Sequence, residues 1–295
     1  DQPQAQSRMN VSPLTKSGLR SGEPEPTLEI DQMSGNAGVF TLGVFSQEDQ
    51  NTGFTVRGLN SGNELHISVN SMGDYFTIVS LEDDNTIGIY HTTDSQTPVL
   101  YDFEYSLDGG ETWNSAVNRT IEVTLDTGEE MKLRSTGIND VLYYPNNAYE
   151  DFRFDSTGEV ELLGNICSLL DPVNFIDYQL VAPQTFYQTF AAKSIGGANP
   201  RTYLLKIVDA SGLVLPSKLT TECFRHMFEG NTYLIEAPEL PATYVPQYSY
   251  DSMFKDCTSL ETAPELPAVV VDAYAYANMF SGCEQLSDIE PIKKW

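Results

Sequence analysis

The chain is poor in positive charge: across 295 residues, 16 Lys and Arg stand against 42 Asp and Glu, a net charge of −26. Such a surface repels the phosphates of nucleic acid and the anionic headgroups of a bilayer, so neither is expected as a partner. Apolar runs of 18 or more residues are absent, which excludes a membrane-spanning helix. Cysteine is scarce, at four residues, with no Cys-x-x-Cys pair and no Cys/His cluster at zinc spacing. Three histidines, His66, His91 and His226, have no Ser or Cys partner by spacing. Gly-x-Ser-x-Gly, His-Glu-x-x-His and Gly-x-Gly-x-x-Gly are all missing. The expectation is no catalytic residues, no metal and no cofactor. The first residues carry neither a charged n-region nor an apolar h-region, as in a cytosolic protein or one whose signal has been removed.

What the chain does have is a repeat. Met227-Phe228, Met253-Phe254 and Met279-Phe280 recur every 26 residues. Leu234, Leu260 and Leu286 follow in step, then Leu240, Leu266 and Ile292, and Cys257 is matched by Cys283. Ala237-Pro-Glu-Leu-Pro-Ala242 returns as Ala263-Pro-Glu-Leu-Pro-Ala268. A unit this short cannot bury its own apolar face and must stack on its neighbours, so these Met, Phe, Leu and Cys positions are read as the core of a leucine-rich-repeat-like solenoid. Tyr250, Met253, Phe254 and Cys257 fall at i, i+3, i+4 and i+7, which predicts a short helix. Pro264 and Pro267 bracket a short extended piece. Cysteines on neighbouring packed helices would lie about 8–10 Å apart, beyond the roughly 7 Å reach of a disulfide. Buried thiols are therefore expected.

Ahead of the repeats, apolar and polar residues alternate strictly. Leu65, Ile67 and Val69 do so, as do Tyr101, Phe103 and Tyr105, then Ile121, Val123 and Leu125, and Phe152 and Phe154. Turn signals such as Asn60-Ser-Gly62 and Asp126-Thr-Gly128 separate them. The pattern predicts an antiparallel, Ig-like β-sandwich over residues 28–165, after a flexible leader at 1–27. Residues 166–295 form the solenoid, with an irregular capping and insert region at 166–214. Within that region Phe186-Tyr-Gln-Thr-Phe190 reads as the degenerate helix of an earlier repeat. Ser106-Leu-Asp108-Gly-Gly110-Glu-Thr112-Trp113 fits the Asp-box pattern of sialidase propellers. A propeller needs several copies and one is present, so Asp108, Gly110 and Trp113 are read as a hairpin turn. Asn10 and Asn118 head glycosylation sequons.

The stretch Met253-Phe-x-x-Cys-Thr-Ser-Leu-x-Thr-Ala-Pro-Glu-Leu-Pro-Ala268 resembles the BspA-like leucine-rich repeats of Bacteroides-type surface proteins. Glu104 to Trp113, Phe154 to Gly158 and Gly164 to Leu170 are similar to the β-domain that often precedes those repeats. Asn231 departs from the pattern, standing where the other repeats have Cys. The resemblance implies a secreted or outer-membrane lipoprotein associated with adhesion, and supplies no catalytic residue.

Three functions are in play. The first is a non-catalytic cell-surface protein binding host or microbial proteins or glycans through the solenoid face, with Tyr244, Tyr248, Tyr274 and Tyr276 as the candidate ligand surface. The second is a polysaccharide-processing accessory protein or glycoside hydrolase, which needs two carboxylates across a cleft. The third is a structural spacer of the envelope. The open end of the solenoid is a candidate dimer face.

Overall fold

The computed structural model describes residues 40–43, 52–58, 65–71, 74–92, 103–117, 120–138, 140, 142, 151–195 and 201–287. The leader, the sequon residues Asn10 and Asn118, Tyr101, Gly196 to Pro200 and Ile292 lie outside them.

Sixteen strands are present among the described residues. Strands β1 (Phe40–Gly43), β2 (Thr52–Gly58) and β3 (Leu65–Ser71) form an antiparallel sheet. The strands β4 (Phe76–Ser80), β5 (Asn85–Thr92), β6 (Phe103–Ser106), β7 (Asn114–Ser115), β8 (Thr120–Leu125), β9 (Glu130–Ser135), β10 (Asp151–Ser156) and β11 (Glu159–Asn165) follow. One 3₁₀ turn, Ile166–Leu169, leads on to β12 (Lys193–Ile195), β13 (Arg201–Tyr203), β14 (Lys206–Val214), β15 (Tyr244–Val245) and β16 (Val270–Val271). One sheet has the order β10-β5-β8 and another the order β14-β11-β4-β9-β6-β7.

The alternation in the sequence places one face of strands such as β8 and β11 inside. Ile87 lies opposite Val123 and Ile89 opposite Ile121 across β5 and β8, and both isoleucines of β5 are buried. Phe76 and Phe103 of the larger sheet meet Phe154 of the smaller one with ring centroids 6.3 and 6.5 Å apart. Gly164 is dictated by space: its φ is +73°, and a Cβ there would stand 2.0 Å from the Tyr75 carbonyl oxygen.

Two expectations need correction. The sandwich is not antiparallel and Ig-like. The chain is rich in β-structure as expected, but the sheets are open and mixed, and β11 pairs parallel with β14. Strict alternation reveals a half-buried strand but not its partner's direction, and β14 comes from the region read as an insert. Nor is the C-terminal third a helix-and-strand leucine-rich-repeat solenoid, because no α-helix occurs among the described residues.

Residues 184–192, 222–230, 248–256 and 274–282 form four layers made of consecutive turns. Every fourth residue is left-handed: Gln184 and Gln188; Glu222, His226 and Gly230; Tyr248, Ser252 and Asp256; Tyr274, Asn278 and Gly282. That reversal forbids the i→i−4 bonding of a helix. Residues such as Met253 and Cys257 instead donate to the carbonyls three back, Tyr250 and Phe254. The alternate N–H groups leave the layer: Glu222, Phe224, His226, Phe228 and Gly230 donate to the carbonyls of Gln247, Ser249, Asp251, Met253 and Lys255 at 2.8–3.1 Å. The i, i+3, i+4, i+7 spacing marks which residues point inward, and this backbone satisfies it as a helix would. Tyr250, Met253, Phe254 and Cys257 are all fully buried.

Sheet and stack share one core. Phe190 of the first layer stacks on Phe76 at 5.7 Å, and β14 is tied to the second unit by Ala210 N–H donating to Glu236 O at 2.9 Å.

Candidate functional site

Because the layers repeat in register, equivalent side chains form columns. Phe186, Phe224, Tyr250 and Tyr276 stack at 5.5, 5.8 and 5.7 Å, with rings within 16° of parallel. Beside them run Phe190, Phe228, Phe254 and Phe280 at 5.6, 5.6 and 5.8 Å. Met227, Leu234, Leu240, Met253, Leu260 and Met279 are buried in the same core, while Leu266, Phe280, Cys283 and Leu286 are half-buried against it. Phe186 and Phe190 sit in the first layer, 38 residues before their partners, as Gln184 does before Glu222. The insert therefore lies between layers.

The cysteines are free. The Cys257 thiol donates to Phe228 O at 3.1 Å and that of Cys283 to Phe254 O at 3.0 Å, each reaching the layer behind. Burial pushes the Cys223 thiol up to about 12 and the Cys283 thiol up to about 11, which leaves both as inert thiols. Asn231 fills the corresponding position of the second unit, and its Nδ2 donates to Leu205 O at 2.8 Å.

A second column lies on the flank. The Arg225 guanidinium covers one face of Tyr248 at 5.2 Å, and Tyr274 stacks on the other at 5.1 Å and 4°. Arg225 is fixed in turn: Nε donates to Asp251 Oδ2 at 2.8 Å and Nη1 to Glu222 Oε2 at 3.0 Å, and Gln184 Nε2 donates to that same oxygen at 2.9 Å. Tyr274 is 63% exposed and Tyr244 47% exposed. The Tyr244 hydroxyl donates to Asp272 Oδ2 at 2.7 Å. Of the four tyrosines proposed as a ligand surface, Tyr248 and Tyr274 form this column, and Tyr244 is exposed and bonded to Asp272. Tyr276 is the outer member of the interior ring column, and burial raises its phenol to about 12.

Sequence reasoning missed Arg225, Asp251, Glu229 and Lys255. Arg225 and Asp251, and Glu229 and Lys255, are opposite charges one 26-residue period apart, and both pairs meet across adjacent layers. That spacing was the signal. Within one layer, His226 Nδ1 lies 2.5 Å from Oε2 of Glu229, three residues on.

The Asp-box stretch joins β6 to β7, with Glu104 opposite Ser115. Asp108 Oδ1 accepts from Thr112 N–H at 2.8 Å and from the Ser106 hydroxyl at 2.7 Å, Gly110 N–H donates to Ser106 Oγ at 2.8 Å, and Trp113 Nε1 donates to Gly110 O at 3.1 Å. The Arg134 guanidinium covers the indole at 4.0 Å. The side chains of His66 and His91 lie outside the described residues. Among the described residues no group of three or more His, Cys, Asp or Glu is placed to hold a metal ion, and no helix is long and apolar enough to cross a membrane.

No family model, curated protein or solved structure matches the chain.

Proposed function

We propose that this is a non-catalytic surface protein that binds host or microbial glycans or proteins through Arg225, Tyr248, Tyr274 and Tyr244. The observation that carries the reading is the Arg225–Tyr248–Tyr274 column, whose outer ring is mostly exposed. Exposed tyrosines beside a fixed guanidinium and the Asp272 carboxylate combine apolar contact with donors and acceptors, which suits sugar rings and interface anchors. The column is held before a ligand arrives, since both partners of Arg225 and the inter-layer backbone bonds fix it, and that preorganisation lowers the ordering cost of binding. Location at the cell surface, in the outer membrane or outside the cell rests on the resemblance of the repeat motif. The test is binding of the full chain to a panel of glycans, mucins and extracellular-matrix proteins. Saturable binding to at least one class is the expected result, and silence across the panel contradicts the proposal.

A further inference from the structure

Glu161 on β11 stands directly across from Asp209 on the parallel strand β14, and the register slips on both sides of Glu161. Both residues are half-buried. Asp209 Oδ1 accepts from Ser211 N–H at 2.7 Å, and Asp209 also forms a backbone bridge to Glu236 of the stack. The pair therefore lies where sheet and stack are joined.

The surroundings offer little to neutralise two carboxylates. The strand on the other side of β11, β4, has no titratable residue over 77–80. Lys206, across from Glu159, is engaged by Thr157 O at 2.6 Å. Glu236 adds a further carboxylate, and β3, which lies against β11 and β14, carries His66.

Independently of what the flank binds, we propose that Glu161 and Asp209 form a proton-operated latch at this junction. With Glu161 protonated β11 stays paired with β14; once Glu161 ionises, the two carboxylates repel and loosen the attachment of the stack. Burial, with Asp209 as the second cause, pushes the Glu161 carboxyl up to about 7. An unfolded Glu titrates near about 4.3. The folded value is the higher one, so the stabilisation is complete below about pH 4.3 and is lost as pH rises through about 7.

Thermal melts of the full chain between pH 5.5 and 8 test this, comparing wild type with Glu161→Gln and Asp209→Asn. The wild-type Tm should fall by about 3–6 °C more than that of Glu161→Gln, the shift expected for one such group in a chain of this size. Asp209→Asn should flatten the profile only in part, because burial is the larger cause of the Glu161 shift. Parallel profiles for wild type and Glu161→Gln would overturn the latch. If the variants do not fold, amide exchange of the wild-type chain decides. Opening at Ala210 N–H, corrected for intrinsic rates, should increase across pH 7; a constant opening population would overturn the proposal.

Discussion

Several single atoms carry more of this structure than their neighbours do. The Asp108 carboxylate accepts from Thr112 and Ser106, and those bonds hold its pKa down to about 2. The folded value lies below the ordinary one, so this stabilisation is present above about pH 4 and is lost as pH falls through about 2. Asp108→Asn should lower the Tm at pH 7 and leave it unchanged near pH 2, which a pair of melting curves will show. Gly164→Ala should be severe, costing more than about 2 kcal/mol, because the new methyl meets the Tyr75 carbonyl and the backbone is left-handed. Denaturant titration measures it. The Asp-box turn was legible from residue types alone, since Ser, Asp and Gly at those offsets bond their own backbone. The Glu161–Asp209 pair was not, because 48 residues of chain separate two carboxylates that meet through a parallel strand pairing.

Among elements, the turn-built layers matter most. Nine non-glycine residues in them are left-handed, from Gln184 to Asn278. Each such residue costs roughly 1–2 kcal/mol in isolation, and the inter-layer ladder offsets that cost. A β-branched side chain makes it worse, so Asn278→Val should destabilise by about 1–2 kcal/mol while Asn278→Gly is tolerated. Chemical denaturation of both variants checks the sign. Asp251 is nearly buried and Arg225 is its partner. Arg225→Ala should therefore cost about 1–3 kcal/mol by stranding the carboxylate. Adding Asp251→Ala should cost less than the sum of the two single changes, as a double-mutant cycle would reveal. The 26-residue period, the inward residues and the earlier repeat at Phe186 and Phe190 were all legible, because periodicity reports which side chains share a face. The backbone conformation was not. A helix and a chain of alternating turns bury the same i, i+3, i+4, i+7 set, and Tyr, Ser, His and Glu at the left-handed positions carry no glycine signal.

The described residues form a sheet-and-stack body with a directional interior. Each turn-side ladder bond runs from an N–H of one layer to a carbonyl of the next. Two copies meeting outer layer to outer layer would set donors against donors, with a net charge of −26 on each. The flank is the feature that links this body to a function. Its most direct test is the affinity of the full chain for its strongest panel ligand, set against that of a Tyr248→Ser/Tyr274→Ser variant of matched Tm. A loss of about tenfold or more, equivalent to roughly 1.4 kcal/mol, is the result expected if the ring column forms the binding surface. Equal affinity in the two proteins would contradict it.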